Sequence, residues 1–136
     1  MKAAVYYENG DPGVLTYETV PDPKCGPQEV VIQVAAVSVE GGDTLNRWRG
    51  ALAGRPHIVG YQAAGEIIDL GSEVTGLKRG QKVVTVAAAG SHAELRVAPA
   101  RNAWPIPDGY DIQQAAAIPI TFGTAHECLF EFGRLK

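Results

Sequence analysis

The chain has 136 residues, enough for one domain, or one domain with part of a second, and enough to bury a core without a disulfide or metal. Its net charge of −3 argues against a surface for nucleic acid or anionic membranes. No apolar run is long enough to cross a membrane, and the N-terminus has no signal-peptide pattern. The two cysteines, Cys25 and Cys128, form no closely spaced pair, so we expect a cytoplasmic protein with reduced thiols.

Alternating, β-branched runs separated by Gly and Pro clusters predict a series of short strands. In chain order these are Lys2–Tyr7, Leu15–Val20, Glu29–Val39, Gly65–Leu70, Lys82–Ala87 and His92–Val97, followed by an extended segment at Ala103–Pro107. The third run is apolar along most of its length, which predicts a strand that is buried on both faces.

Three helices are predicted, one after the third strand and two near the C-terminus. They are Thr44–Arg49, Ile112–Ile118 and Thr121–Phe132, the last two separated by Pro119. Asp43 is the expected N-cap of the first helix and Gly50 its end. Asp111, with Gln114 three residues later, resembles a capping box for the second helix.

The last helix carries an apolar face formed by Phe122, Ala125, Leu129 and Phe132. An open apolar stripe is a candidate surface for association, including a homo-oligomer formed through the C-terminal helices. Many short strands followed by helices only at the end predict an antiparallel, barrel-like core.

Motifs along essentially the whole chain resemble one protein family. They are Met1–Ala3, Pro12–Leu15, Glu18–Pro23, Gly26–Val30, Ile32–Ala35, Asp43–Gly50, Gly60–Gly65, Leu70–Val83 and Ala115–Pro119. Together they are similar to the N-terminal, GroES-like catalytic domain of medium-chain dehydrogenases/reductases of the zinc-free quinone oxidoreductase (zeta-crystallin) type.

This resemblance implies a mainly β (α+β) fold, a partly open GroES-like β-barrel with short helices. Residues 1–110 are the expected GroES-like catalytic domain. Residues 111–136 are the expected helical crossover toward a dinucleotide-binding domain that this chain lacks. No Gly-rich phosphate-binding fingerprint follows a strand and opens a helix in the chain, so pyrophosphate binding has no predicted place in it.

The resemblance also bears on metal binding. Zinc-dependent members of the family carry their catalytic ligands at the positions of Glu40, Tyr61 and Gln62. A tetrahedral zinc site favours thiolate or imidazole ligands, so we expect no metal. The histidines are scattered along the chain and are interpreted as ordinary surface or interface residues: His57, His92 and His126.

Without zinc, the chemistry that the resemblance implies is hydride transfer from a nicotinamide cofactor, by family expectation NADPH. Tyr61 and Gln62 are candidate catalytic donors to a developing oxyanion, and Glu40 a candidate acceptor or proton donor. Arg47, with Tyr61, is a candidate substrate-binding residue, and Thr121 a candidate cofactor-binding residue.

Each of these residues also has an ordinary structural explanation. Tyr61 could pack in the core, Glu40 could belong to a turn, and Arg47 could serve only to solubilise its helix. Thr121 could be a helix N-cap, a role that is compatible with cofactor binding.

The predicted function is therefore an NAD(P)H-dependent, zinc-independent reductase of quinones or α,β-unsaturated carbonyls. Its expected partner is a small-molecule substrate, with neither nucleic acid nor membrane. The alternative is a non-catalytic GroES-like module that acts through protein–protein contacts. The resemblance favours NADPH over NADH only as a family expectation.

Overall fold

The computed structural model describes residues 1–136 and contains seven strands in two antiparallel sheets. The strands are β1 (Lys2–Val5), β2 (Thr16–Thr19), β3 (Glu29–Ser38), β4 (Gln62–Leu70), β5 (Lys82–Val86), β6 (Leu95–Pro99) and β7 (Ala103–Pro105). One sheet pairs β1 with β2, and the other has the order β6-β3-β4-β5-β7. The five-stranded sheet stays open, and the predicted mainly β architecture with short helices is confirmed.

Isolated bridges join the two sheets. Ala3 pairs with Ala93, and Tyr6 pairs with His57. Residues 92–94, predicted as the start of β6, are hydrogen-bonded to β1 instead, which explains why β6 begins only at Leu95.

Strand β4 is longer than predicted at its N-terminal end. It begins at Gln62, which pairs with Ser38 of β3 and with Val86 of β5. The segment Gln62–Ala64 has little intrinsic preference for strand, and the two flanking strands hold it extended.

The helices are α1 (Gly41–Arg49), α2 (Ile112–Ala116) and α3 (Ile118–His126), and α3 continues as a π-helical segment, Glu127–Phe132. Asp111 caps α2 as predicted, since its carboxylate accepts from the Gln114 amide at 2.8 Å. The prediction that Pro119 separates the last two helices was wrong. It lies in the first turn of α3, where a missing N–H costs no helical hydrogen bond.

The prediction that Asp43 is the N-cap of α1 was also wrong. The N-cap is Glu40, and Asp43 lies in the first turn of the helix. The reason is that the Asp43 side chain bonds back toward the N-terminus, where its Oδ2 accepts from the Glu40 amide at 3.0 Å. Gly50 ends the helix, as expected.

The hydrophobic core consists of two clusters of buried side chains on the five-stranded sheet. One cluster contains Val30, Ile32, Ala63, Ile67, Val83 and Ala103, and a second joins Ala64 and Val84 to Ala116 of α2. Helix α2 therefore packs on the sheet. Strand β3 is buried only in its first half and then alternates, so the prediction of burial on both faces holds for that half alone.

The predicted apolar stripe at the C-terminus is open to solvent, with Phe122 64% exposed, Leu129 50% and Phe132 80%. None of the helices combines the length and the apolar character that crossing a membrane requires.

Candidate active site

Glu40 and Gln62 are in direct contact where β3 ends and β4 begins. Glu40 Oε1 accepts from Gln62 Nε2 at 2.5 Å and from Ser38 Oγ at 2.8 Å. Gln62 is fully buried, and its Oε1 accepts from the Ile120 amide of α3 at 3.0 Å. The Gln62 amide thus connects the Glu40 carboxylate to the first turn of α3.

Tyr61 lies against the N-terminal end of α1. A Cβ atom on Gly42 would come within 2.4 Å of Tyr61 Cε2, so the ring is in contact with the helix backbone. The hydroxyl accepts a hydrogen bond from Asn46 Nδ2 at 2.9 Å and donates none within the chain. Tyr61 is half-buried, and its phenol O–H is oriented by Asn46 with its proton not used within the chain.

Asp43 binds the backbone amides of two candidate residues, Glu40 and Tyr61. Its carboxylate is buried, with Oδ2 accepting from the Glu40 amide at 3.0 Å and Oδ1 from the Tyr61 amide at 3.2 Å. One side chain therefore fixes the relative positions of two residues that lie far apart in the sequence.

Arg96 of β6 holds the other side of the Tyr61 backbone. Its guanidinium is buried and donates to the carbonyl oxygens of Tyr61 at 2.5 Å, Thr85 at 3.1 Å and Ala87 at 3.3 Å. Burial lowers the pKa of Arg96 to about 10, which leaves the group charged at neutral pH, and the nearby Asp43 carboxylate opposes this shift.

Arg47 and Thr121 are not in contact with the Glu40–Gln62 pair. Arg47 is seven residues beyond Glu40, about 10 Å along the helix axis, and its Nε donates to the Gly10 carbonyl at 3.2 Å. Thr121 is exposed on α3, next to Ile120, which bonds to Gln62. Thr121 is not an N-cap, since α3 begins three residues earlier, at Ile118.

Sequence reasoning missed Asn46, Arg96 and the bridging role of Asp43. Arg96 had a detectable signal in the sequence. It lies two residues before Ala98, so both side chains face the interior side of β6. A charged residue on the interior face of a strand indicates a buried polar network. Asn46 and Asp43 had no comparable signal, because their partners come from another element.

The interpretation of all three histidines as surface or interface residues was wrong for two of them. His57 is buried, packs edge-on against Tyr6, and accepts from the Ala53 amide at Nδ1. His92 is largely buried, with Nε2 lying 4.0 Å from Asp43 Oδ2. His126 is exposed on α3. Burial lowers the pKa of both His57 and His92.

These lowered pKa values predict that acidification destabilises the fold. The unfolded chain binds protons near pH 6.5, about the ordinary histidine value, whereas the folded chain binds them only at lower pH. The free energy of unfolding should therefore be constant above that value and fall as pH decreases through the folded pKa values. Urea denaturation at about pH 7 and about pH 5 measures the difference.

The variants His57→Gln and His92→Gln should each reduce this pH dependence. His126→Gln is the matched control, since it removes an exposed imidazole. If the pH dependence survives intact in both buried-site variants, the assignment to these two histidines is contradicted.

No group of three or more His, Cys, Asp or Glu side chains is arranged to hold a metal ion. The candidate site residues present a carboxylate and an amide in contact with each other and a phenol that contacts α1, all groups that form hydrogen bonds with oxygen-containing ligands.

Comparisons with known proteins agree with this architecture. Residues 26–108 match the family model of the alcohol dehydrogenase GroES-like domain. Quinone oxidoreductase-like protein 2 of Rattus norvegicus is 32% identical over 127 residues, covering 91% of this chain and 35% of that protein.

Solved structures give the same picture. A Pseudomonas syringae quinone oxidoreductase superposes with a TM-score of 0.89 at 30% identity, covering 94% of this chain and 40% of that one. A mycobacterial protein solved in complex with NADPH has a TM-score of 0.89 at 32% identity, covering 95% of this chain and 40% of that one.

The chain spans about a third of the length of the curated relative it matches. The family model covers more than half of the chain, and the relatives include quinone oxidoreductases of the same superfamily. The chain belongs to the alcohol dehydrogenase GroES-like domain family, in the medium-chain dehydrogenase/reductase superfamily of oxidoreductases.

Proposed function

We propose that this chain is the substrate-side domain of an NADPH-dependent, zinc-independent reductase that acts on quinones or α,β-unsaturated carbonyl compounds in the cytoplasm. The observation that carries the proposal is the Tyr61 hydroxyl. It is held by Asn46, its proton is not used within the chain, and its ring packs against Gly42 of α1.

Tyr61 would donate a hydrogen bond to the carbonyl oxygen of the substrate. Negative charge develops on that oxygen when a hydride adds to the conjugated system, and an oriented donor stabilises it. Glu40 would supply the proton that the reduced product takes up, and the Gln62 amide, bonded to Glu40, would orient its carboxyl group.

When bound, NADPH supplies the hydride, and the chain positions the acceptor. Thr121 is the residue of this chain proposed to contact the nicotinamide portion, because it is exposed beside the amide that bonds Gln62. Arg47 is proposed to bind an anionic or phenolic part of the substrate through its guanidinium NH groups, since only its Nε is engaged, by Gly10.

We further propose that residues 1–110 form the catalytic domain and that residues 111–136 lead to a dinucleotide-binding domain in the full-length protein. The exposed apolar stripe on α3 and the π-helical segment supports a packing role there. The same stripe makes the C-terminal helices the proposed contact in a homo-oligomer.

Glu40, Tyr61 and Gln62 offer no thiolate or imidazole, which supports a reaction without zinc.

The test is turnover of NADPH by the full-length protein with a quinone and with an enone, in wild type and in Tyr61→Phe. We expect the variant to lose more than about tenfold in kcat, because a donor to the developing oxyanion is removed. Tyr110→Phe is the matched control, since it removes a phenol hydroxyl from an exposed tyrosine far along the chain.

Equal turnover in Tyr61→Phe and wild type would remove the hydroxyl from the mechanism. Absence of NADPH oxidation with every quinone and enone tested would favour the alternative, a non-catalytic module that acts through protein contacts.

A further inference from the structure

Buried polar atoms without a hydrogen-bond partner concentrate beside Tyr61. The chain has four such atoms, and three of them belong to Ser91, His92 and Arg96. The fourth is the hydroxyl of Tyr6. Because an unpaired buried polar atom is costly, such a concentration calls for a functional explanation.

The segment that carries Ser91 and His92 is pressed against the backbone before Tyr61. Gly60 has a φ of +116°, and a Cβ atom on it would lie 1.8 Å from Ser91 Oγ and 2.7 Å from His92 Cδ2. Only glycine fits both the backbone conformation and the space. The imidazole is therefore in contact with the peptide that leads into the candidate active site.

From this arrangement we propose that His92 is a positioning residue, which acts through Asp43 on the backbone of Glu40 and Tyr61. Its Nε2 lies 4.0 Å from Asp43 Oδ2, the oxygen that accepts from the Glu40 amide. A protonated His92 donates to the second lone pair of that oxygen after a small ring shift, and its attraction for the carboxylate changes the hydrogen bond from the Glu40 N–H. The other carboxylate oxygen holds the Tyr61 amide, so both residues respond.

The charged groups around the His92 imidazole influence the pH at which it becomes protonated. Asp43 faces it from α1 and Arg96 from β6. Lys2 of β1 and Glu94 line the same groove as His92, of about 430 Å³. Burial, with a smaller contribution from Arg96, lowers the pKa of His92, and Asp43 opposes this. His92 is therefore neutral at neutral pH, and the pairing with Asp43 forms only on acidification.

The effect on catalysis rests on the proposed function, because it assumes that Glu40 and Tyr61 take part in turnover. The coupling itself needs neither substrate nor cofactor. It is therefore measured on the free protein, so that its failure and the failure of the proposed function are separate results.

The experiment is an NMR titration of the ¹⁵N-labelled protein from about pH 8 to about pH 5, a range that brackets histidine protonation. The signals followed are the His92 ring and the backbone amides of Glu40 and Tyr61. We expect both amides to shift with the midpoint of the His92 ring. The transition should vanish in His92→Gln and persist in His126→Gln, the matched control on the exposed helix.

Three results would overturn the proposal. The amides of Glu40 and Tyr61 could stay constant while the His92 ring titrates. They could shift equally in His92→Gln. The His92 ring could also fail to titrate at any pH at which the protein is folded. NADPH turnover by Tyr61→Phe reports on the proposed function independently of all three.

Discussion

Replacing Arg96 with methionine is expected to lower the free energy of unfolding by about 3 kcal/mol, since it removes several charge-assisted hydrogen bonds from a buried site. The guanidinium bonds to three backbone carbonyls, those of Thr85 in β5, of Ala87 directly after β5 and of Tyr61 directly before β4. Methionine fills much of the volume but donates nothing. It also removes a positive charge that interacts with the buried Asp43 carboxylate.

Chemical denaturation followed by circular dichroism measures this loss. Arg79→Met is the matched control, because it also removes an ion-pairing arginine, the one that contacts Asp69. Its side chain is 66% exposed, so we expect a change of no more than about 1 kcal/mol. Equal effects of the two substitutions would contradict a structural role of the Arg96 network.

Replacing Gly65 with alanine is expected to cost about 3 kcal/mol, at the upper end of the range for inserting a methyl group into a packed interior. Gly65 pairs with Val34 at the centre of the five-stranded sheet. A Cβ atom there would lie 2.1 Å from the Gln33 carbonyl oxygen and 3.1 Å from Val34 Cα. These are backbone atoms, which cannot rotate away, so β3 and β4 must separate.

The midpoint of urea denaturation reports this change, with thermal unfolding as a second measure. Gly123→Ala is the matched control within α3, where a Cβ atom meets nothing within 4 Å. Because alanine favours helix over glycine by about 1 kcal/mol, that variant should be slightly stabilised. If Gly65→Ala is as stable as Gly123→Ala, β3 and β4 are not packed as closely as described.

Local patterns in the sequence were sufficient for most of the fold. Alternating Val and Ile runs gave the approximate positions of β3 and β5, and Asp111 gave the start of α2. These signals are informative because side-chain alternation along a strand and capping of a helix both depend on residues that are close together in the sequence. The family motifs added the identity of the domain, which the match over residues 26–108 confirms.

The candidate site could be predicted only in part from the sequence. The motifs named Glu40, Tyr61 and Gln62, and the structure brings Glu40 and Gln62 into contact. Their roles in catalysis stay predictions. The sequence also placed Asp43 at the wrong position of its helix, because the Asp43 side chain bonds back to the Glu40 amide. Its second partner, the Tyr61 amide, is 18 residues away and had no local signal.

The tertiary structure decided the contacts that hold the site together. Arg96 reaches Tyr61 across 35 residues of sequence, and only the pairing of β6 with β3, which in turn pairs with β4, brings them close. The tertiary structure also buries His92 against Gly60, and the pairing of Gln62 with β3 and β5 extends β4 back to that residue. Such contacts depend on how strands pair and pack, whereas a local sequence pattern reports only which residues form a strand or a helix.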